Sequence, residues 1–404
     1  MRKTICLVGT FDTKGLEFQF LKNQVESAGV STLTVDAGIL GEPPFKPDIS
    51  ADDLASASGT SLTELRQEAD RGNSVTLMAE NAAQIITQLW DEEKIDGIIS
   101  LGGSAGTTIA TTAMRTLPIG TPKVMVSTLA SGDTSPYVGT KDIAMIYSVV
   151  DIAGINSISR QILTNAANAI VGMINKEPLV TDHEDKPLIA ATMFGVTTPC
   201  VTKAREILEE NGYEVLVFHA TGTGGRAMED LIRSGFIVGV LDTTTTELAD
   251  ELVGGVLTAG PNRLEAAGEV GIPQVIVPGA LDMVNFASPD TIPEKFQDRK
   301  FYQHNPTVTL MRTTVEENAE LGKIMAEKLN RAKSPTTVII PTKGVSAIDK
   351  DGQPFYSPEA IQAWTTNLKA NLNQKVNLIE AKSHINDDDF AEKLATTLLN
   401  KLKD

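Results

Sequence analysis

From Ile98 to Thr108 the chain reads Ile-Ile-Ser-Leu-Gly-Gly-Ser-Ala-Gly-Thr-Thr, an apolar run broken by three glycines and three hydroxyls. Helical spacing resumes at about Thr108, with Ile109, Ala113 and Leu117, so the segment predicts strand, tight turn and helix. A strand this uniformly apolar is buried on both faces, which favours a parallel sheet covered by helices. The same order has a chemical consequence. Glycine lets a backbone approach a phosphate closely, and the unpaired N–H groups and dipole of a helix start hold negative charge. Gly102, Gly103, Ser104, Gly106 and Thr107 are therefore candidate phosphate contacts.

That alternation runs through the chain. Strands are predicted at Thr4–Val8, Ser31–Asp36, Gly97–Leu101, Lys123–Thr128 and Ile143–Ser148, with helices at Leu16–Ala28, Val75–Trp90 and Ile155–Asn175. Ile39–Ser61, rich in proline and small residues, reads as a long loop or lid, and long loops in compact domains are usually functional. Lys176–Lys186 is polar, and Pro178 and Pro187 lie in and beside it. It is the best domain boundary, dividing the chain into 1–180 and 181–404. Beyond it the pattern restarts, with strands at Leu188–Met193, Glu214–His219, Ile237–Leu241, Gln274–Val277, Val308–Met311, Val338–Ile340 and Val376–Glu380. Helices are predicted at Val201–Asn211 and Asp388–Leu402. The expected fold class is α/β: two doubly wound, mostly parallel domains facing a cleft lined by strand C-terminal ends, where such sheets bind ligands. A length of 404 residues also exceeds one ordinary core.

Composition narrows the partners. The net charge of −17 offers no basic footprint for nucleic acid, but it leaves a local anion site open. No apolar run reaches the roughly 18 residues that span a bilayer. The start, Met1-Arg-Lys-Thr-Ile-Cys-Leu-Val-Gly9, lacks a signal-peptide pattern, so a cytoplasmic protein is expected. Two cysteines, Cys6 and Cys200, suit a reducing compartment. Cys6 reads as core packing, and Cys200 as packing or, at a helix start, a candidate nucleophile. A homodimer or other homo-oligomer is the general expectation for such a chain.

Further candidates fall at strand ends. Gly9, Thr10, Asp12, Thr13 and Lys14 follow the first strand. Lys14 is placed to contact phosphate, and Asp12 to accept from a sugar hydroxyl or support Mg²⁺; helix capping is the alternative. Asp36 ends the second strand, where nucleotide folds often place a ribose-reading acid. Neither the dinucleotide glycine fingerprint nor the P-loop spacing is present. Thr128, Ser131 and Asp133 belong to a hydroxyl-rich turn after the fourth strand, with Asp133 a second candidate for Mg²⁺.

In the second half, Gly222, Gly224, Gly225 and Arg226 read as an anion site with its own guanidinium. His219, just before them, is a candidate acid/base. Thr197, Thr198, Asp242, Thr244 and Asp282 complete the substrate wall. One motif points elsewhere: Gly102-Gly-Ser104-Ala-Gly106 fits the nucleophile elbow G-x-S-x-G, and a serine hydrolase would need Ser104 with Asp242 and His304 or His384. The four histidines, His183, His219, His304 and His384, and the two cysteines show no zinc spacing.

These stretches also resemble a family of mainly uncharacterised bacterial and fungal proteins. That family shares an ATP-binding domain with the tomato mosaic virus resistance protein of plants. The resemblance is carried by Leu101–Thr107, Leu117–Val124, Ser127–Asp133, Ser148–Asn156, Met193–Cys200, Val217–Glu229, Ala280–Phe286 and Phe355–Ala360, and covers most of residues 3–360. It implies two Rossmann-like subdomains and ATP binding, with nucleotide contacts in the first. Ala105 stands where the plant relative has glycine, a change small enough for phosphate contact to survive. Some relatives carry an additional C-terminal barrel domain that these 404 residues do not contain, and the plant protein's binding of a viral replication protein is not expected here. The leading expectation is an ATP-dependent enzyme acting on a small polar or anionic metabolite in the interdomain cleft. The alternative is a nucleotide-dependent binding or regulatory module without turnover.

Overall fold

A computed structural model describes residues 3–68, 70–175 and 186–403. The expected linker at Lys176–Lys186 and His183 lie almost wholly outside the described residues. The chain forms two compact units, residues 1–181 and 182–404.

The first unit runs β1 (Thr4–Gly9), α1 (Phe11–Ser27), β2 (Ser31–Asp36), α2 (Ala51–Ser56), α3 (Leu62–Glu68), α4 (Arg71–Asp91), β3 (Gly97–Gly102), α5 (Ser104–Thr116), β4 (Lys123–Ser127), α6 (Ser135–Val138), β5 (Ala144–Tyr147) and α7 (Ser157–Ile174). Its five strands are parallel in the order β2-β1-β3-β4-β5. The two-residue period of a strand sorts them onto two faces. Ile5, Leu7, Ile99 and Val126 pack with Phe18, Leu21 and Ile170 of α1 and α7. Cys6, Val8, Ile98 and Met125 pack with Met78, Ile86 and Ile109 of α4 and α5. Each such fully buried side chain contributes roughly 1.5–3 kcal/mol, which is why the strands read as continuous apolar runs.

The second unit runs β6 (Leu188–Met193), α8 (Thr198–Glu210), β7 (Glu214–His219), α9 (Thr223–Arg233), β8 (Ile237–Thr244), α10 (Glu247–Val253), α11 (Ala266–Val270), β9 (Gln274–Gly279), β10 (Met283–Phe286), β11 (Phe301–Asn305), β12 (Val308–Arg312), α12 (Val315–Asn330), β13 (Thr336–Pro341), α13 (Pro358–Asn371), β14 (Asn377–Ala381) and α14 (Asp388–Lys403). Its main sheet, β14-β13-β9-β8-β6-β7, is again parallel. Val275, Val277 and Ile339 face α8 and α14, while Ile276, Val338 and Ile340 face α12 and α13.

Three expectations are corrected, and of the two readings of Cys200 one is left. The 308–311 strand is not in the wound sheet: β12 is the centre of a separate antiparallel sheet, β10-β12-β11. The helix after Gly102 begins at Ser104, a full turn before Thr108. The 39–61 segment is no loose lid. Asp48 accepts from the amide and hydroxyl of Thr34 at 2.8 and 2.6 Å, Ile49 bridges Val35, Phe45 packs on Phe11 with ring centroids 5.1 Å apart, and α2 starts in a Ser50–Asp53 capping box. Cys200 is buried within α8, and burial pushes its thiol well above the usual range, so it is core packing rather than a nucleophile.

Candidate functional site

In the first unit the strand order reverses between β1 and β3, on either side of which the chain leaves the sheet in opposite directions. Open α/β sheets bind ligands in the crevice this creates. The turn after β3 lies there, and its glycines differ in purpose. A Cβ on Gly102 would sit 2.9 Å from Gly106 Cα, so close strand–helix packing demands glycine. A Cβ on Gly103 would meet nothing nearer than Thr128 Oγ1 at 3.7 Å, so packing makes no such demand. Gly103 is also the N-cap of α5, and no side chain caps that helix. Thr107 N is the first amide to bond back, to Gly103 O at 2.8 Å. The preceding amides, of Ser104, Ala105 and Gly106, are the ones a helix start leaves for an outside acceptor. Ser104 is exposed and Thr128 half-buried. The Thr107 hydroxyl turns inward to Ser127 Oγ at 2.7 Å. Ser131 and Asp133 are exposed. Asp133 accepts from the amide and hydroxyl of Ser135 at 3.0 and 2.6 Å, and these bonds hold its carboxyl below the usual range.

The turn after β1 meets the end of β2. Gly9 is glycine because a Cβ would lie 2.2 Å from the Phe18 ring. Thr10 is the N-cap of α1 without a side-chain cap; the Thr13 hydroxyl reaches only Thr10, at 3.0 Å from its Oγ1. Asp36 supplies the missing acceptor: its Oδ1 takes the amides of Phe11 and Gly38, each at 2.9 Å. Burial pushes this carboxyl up to about 6, against those two hydrogen bonds, with Asp12 and Glu42 adding to the rise. Asp12 Oδ2 accepts from the amides of Leu40 and Gly41 at 2.7 and 3.2 Å, while its Oδ1 is buried with no partner. Lys14 donates to the carbonyl of Ile152, in the loop after β5, so one of its donors is engaged within the protein. A cavity opens beside these groups, polar at Thr10, Asp12 and Ser74 and apolar at Ile39, Met78 and Ile109. It also touches Ala105, in the first turn of α5.

The second unit differs in kind. Its glycine turn already holds an anion. Glu247 Oε1 accepts from the amides of Gly222 and Gly225 at 2.7 and 3.1 Å. A Cβ on Gly225 would lie 2.2 Å from that carboxylate, and one on Gly224 would lie 1.9 Å from His219 O. Arg226 points to solvent. The arginine that serves this region is Arg263, fully buried, donating to Glu247 Oε2 at 2.6 Å and to both oxygens of Asp242 at 2.5 and 2.7 Å. Burial would lower this guanidinium, but the Asp242 and Glu247 charges drive it well above its ordinary value. Glu229, pushed up by burial, accepts from the amides of Leu264 and Ala266 at 2.7 and 2.8 Å. Thr197 and Thr244 join their hydroxyls at 2.8 Å, and the Thr198 hydroxyl donates to Phe194 O at 3.2 Å. Asp282 accepts from Ser346 Oγ at 2.7 Å and is pushed up to about 7, by burial first and then by Asp349. His219 is exposed at the end of β7, its ring 5.4 Å from that of Phe194.

In the second unit the acid and histidines that a hydrolase would pair with Ser104 are placed as follows. Asp242 is held by Arg263. His384 Nε2 lies 2.9 Å from Ser346 O, and its Nδ1 accepts the Asn386 amide. His304 is exposed on β11. Among the described residues no group of three His, Cys, Asp or Glu is placed to hold a metal ion, and no helix is long and apolar enough to cross a membrane.

Fold and strand ends together define a two-domain, doubly wound α/β protein whose first domain leaves a helix start uncapped at its switch point. The chain belongs to the uncharacterised protein family UPF0261: residues 3–178 match its N-terminal domain and 186–402 its C-terminal domain. A UPF0261 protein of Clostridium tetani is 58% identical over 405 residues, covering all of both chains. The ToMV resistance protein Tm-1(GCR237) of Solanum lycopersicum is 44% identical over 418 residues, covering 97% of this chain and 55% of that protein. Among solved structures, the UDP-N-acetylglucosamine 2-epimerase of Rickettsia bellii aligns with 100% of this chain and 96% of its own at 11% identity and a TM-score of 0.23, too low to carry any argument.

Proposed function

We propose that the first domain binds ATP at the ends of β1, β2 and β3. The observation that carries this reading is the start of α5, where uncapped amides adjoin Gly103, a glycine that packing does not require. Phosphate oxygens occupy that space, and the half-apolar cavity beside Ile39 and Met78 takes the base. Asp12, which lines that cavity and has one oxygen lacking a partner, is the better-placed carboxylate for a ligand hydroxyl or a Mg²⁺ ion, because Asp133 does not line the cavity.

Thermal unfolding of the full chain with ATP-Mg²⁺, GTP, NAD and inorganic phosphate tests the reading. ATP at 100 times its Kd adds roughly 2.7 kcal/mol, and Gly103→Val abolishes the gain. A shift with phosphate alone, or an ATP shift that survives in Gly103→Val, overturns it. The resident Glu247 carboxylate in the Gly222 turn favours a nucleotide-dependent binding module over an ATP-dependent enzyme, because the turn expected to hold a substrate anion is filled. ADP release during the same titrations, on adding any anionic metabolite, would restore the enzyme.

A further inference from the structure

A second, open cavity of the first unit shares the 36–41 segment with the first. The segment is a fixed partition. Asp36 holds Gly38, Asp12 holds Leu40 and Gly41, and Arg66 Nε donates to Ile39 O at 2.6 Å. The far wall is equally rigid: Pro44 packs where a Cβ on Gly15 would lie 2.2 Å away, and Pro43 and Pro47 flank it. Around this cavity stand two cations, Lys46 and Arg66, two surface carboxylates, Glu42 and Asp52, and the buried Asp36, which already holds two backbone amides; of these, the four surface groups are the ones open to a ligand. Among the described residues none of the four forms an ion pair. Arg66 keeps both terminal guanidinium nitrogens for an outside acceptor.

Opposed unpaired charges around one concavity complement a ligand that carries both signs. We propose that this cavity binds a small zwitterion of the α-amino acid type. Its carboxylate takes the Arg66 fork, a geometry suited to two parallel N–H···O bonds, with Lys46 adding charge. Its ammonium faces Asp52 and Glu42, and its side chain rests on the proline wall. A simple anion meets Glu42 and Asp52, with Asp36 behind them, and a simple cation meets Lys46 and Arg66, so neither is held as well.

Calorimetric titration of the full chain with the twenty free L-amino acids tests this, each beside its deaminated acid and its decarboxylated amine. At least one amino acid binds, both of its analogues bind at least tenfold more weakly, and Arg66→Gln and Lys46→Gln each weaken it tenfold or more. Asp52→Asn narrows the gap between amino acid and deaminated acid, which mere loss of structure does not do. Lys46 and Asp52 are exposed, so those variants keep the fold even if Arg66→Gln loosens Ile39. Binding of no amino acid at millimolar concentration overturns the proposal. So does binding indifferent to Lys46, or competitive displacement by ATP, which would make the cavity part of the nucleotide site. If ATP binds nowhere, the amino-acid titration still stands or falls by these outcomes alone.

Discussion

Asp36 shows how one carboxylate can look like a ligand contact in sequence and serve the fold in space. Its place at the end of β2 was legible, but its partners were not: the amides of Phe11 and Gly38 reach it only once β1 and β2 pair. Its pKa gives a sign that can be measured. The folded value, about 6, lies above the roughly 3.9 of an unfolded aspartate. The folded chain therefore binds the extra proton between those values, and this group's contribution to stability is lost as pH rises through about 6. Asp36→Asn keeps an oxygen for both amides and has no charge to form. Relative to wild type, its urea midpoint should rise from about pH 4 to pH 7 and stay level below pH 4. A difference flat across that range would mean that the carboxyl titrates normally. Arg263, which anchors the second unit, carried no signal at all, since it stands in an ordinary Pro-Asn-Arg-Leu turn. The only hint was indirect: acids at several strand ends needed a buried cation, and the nearby Arg226 was the wrong one.

At the scale of elements, strands and most helices were readable because burial on both faces writes itself as apolar runs. What failed was local. The start of the helix after β3 was read a turn late because Ser-Ala-Gly-Thr lacks the apolar period that marks a helix in sequence. β10 went unread because it is only four residues long and Asn285 interrupts its apolar run. The three glycines of the 102–106 turn were equally conspicuous, yet only three dimensions separate their jobs. Gly102→Ala drives a methyl into Gly106 and should cost about 1–3 kcal/mol, in the range of an overpacked core. Gly103→Ala places the same methyl in open space and should stay within about 0.5 kcal/mol of wild type, while weakening ATP at least tenfold. Urea unfolding and ATP titration of the two variants check both halves. Equal destabilisation by both would mean that the Gly103 space is closed.

At the scale of the whole molecule, the echo between the two halves is topological. Counting only the strands of each parallel sheet, both open in the order 2-1-3-4-5, and the second unit adds one further parallel strand and the antiparallel trio. Each has cores on both faces of its own sheet, which is what an independently folding domain needs. Residues 1–181 and 182–404, produced separately, should each unfold cooperatively in urea, and ATP should shift the first alone. A shift confined to the second half, or a half that does not fold, would refute that division of labour.

Glu247 gives the second unit a different relation to the solutes around it. A carboxylate tethered in the chain never diffuses away, so every free phosphate or carboxylate arriving at the Gly222 turn competes with a resident that is always present. To enter, it must also strip Arg263 of one of its partners and leave a buried charge poorly compensated. The turn is therefore satisfied at every concentration of outside anion. What an empty helix start leaves to the surrounding solution, the Gly222 turn takes from its own chain.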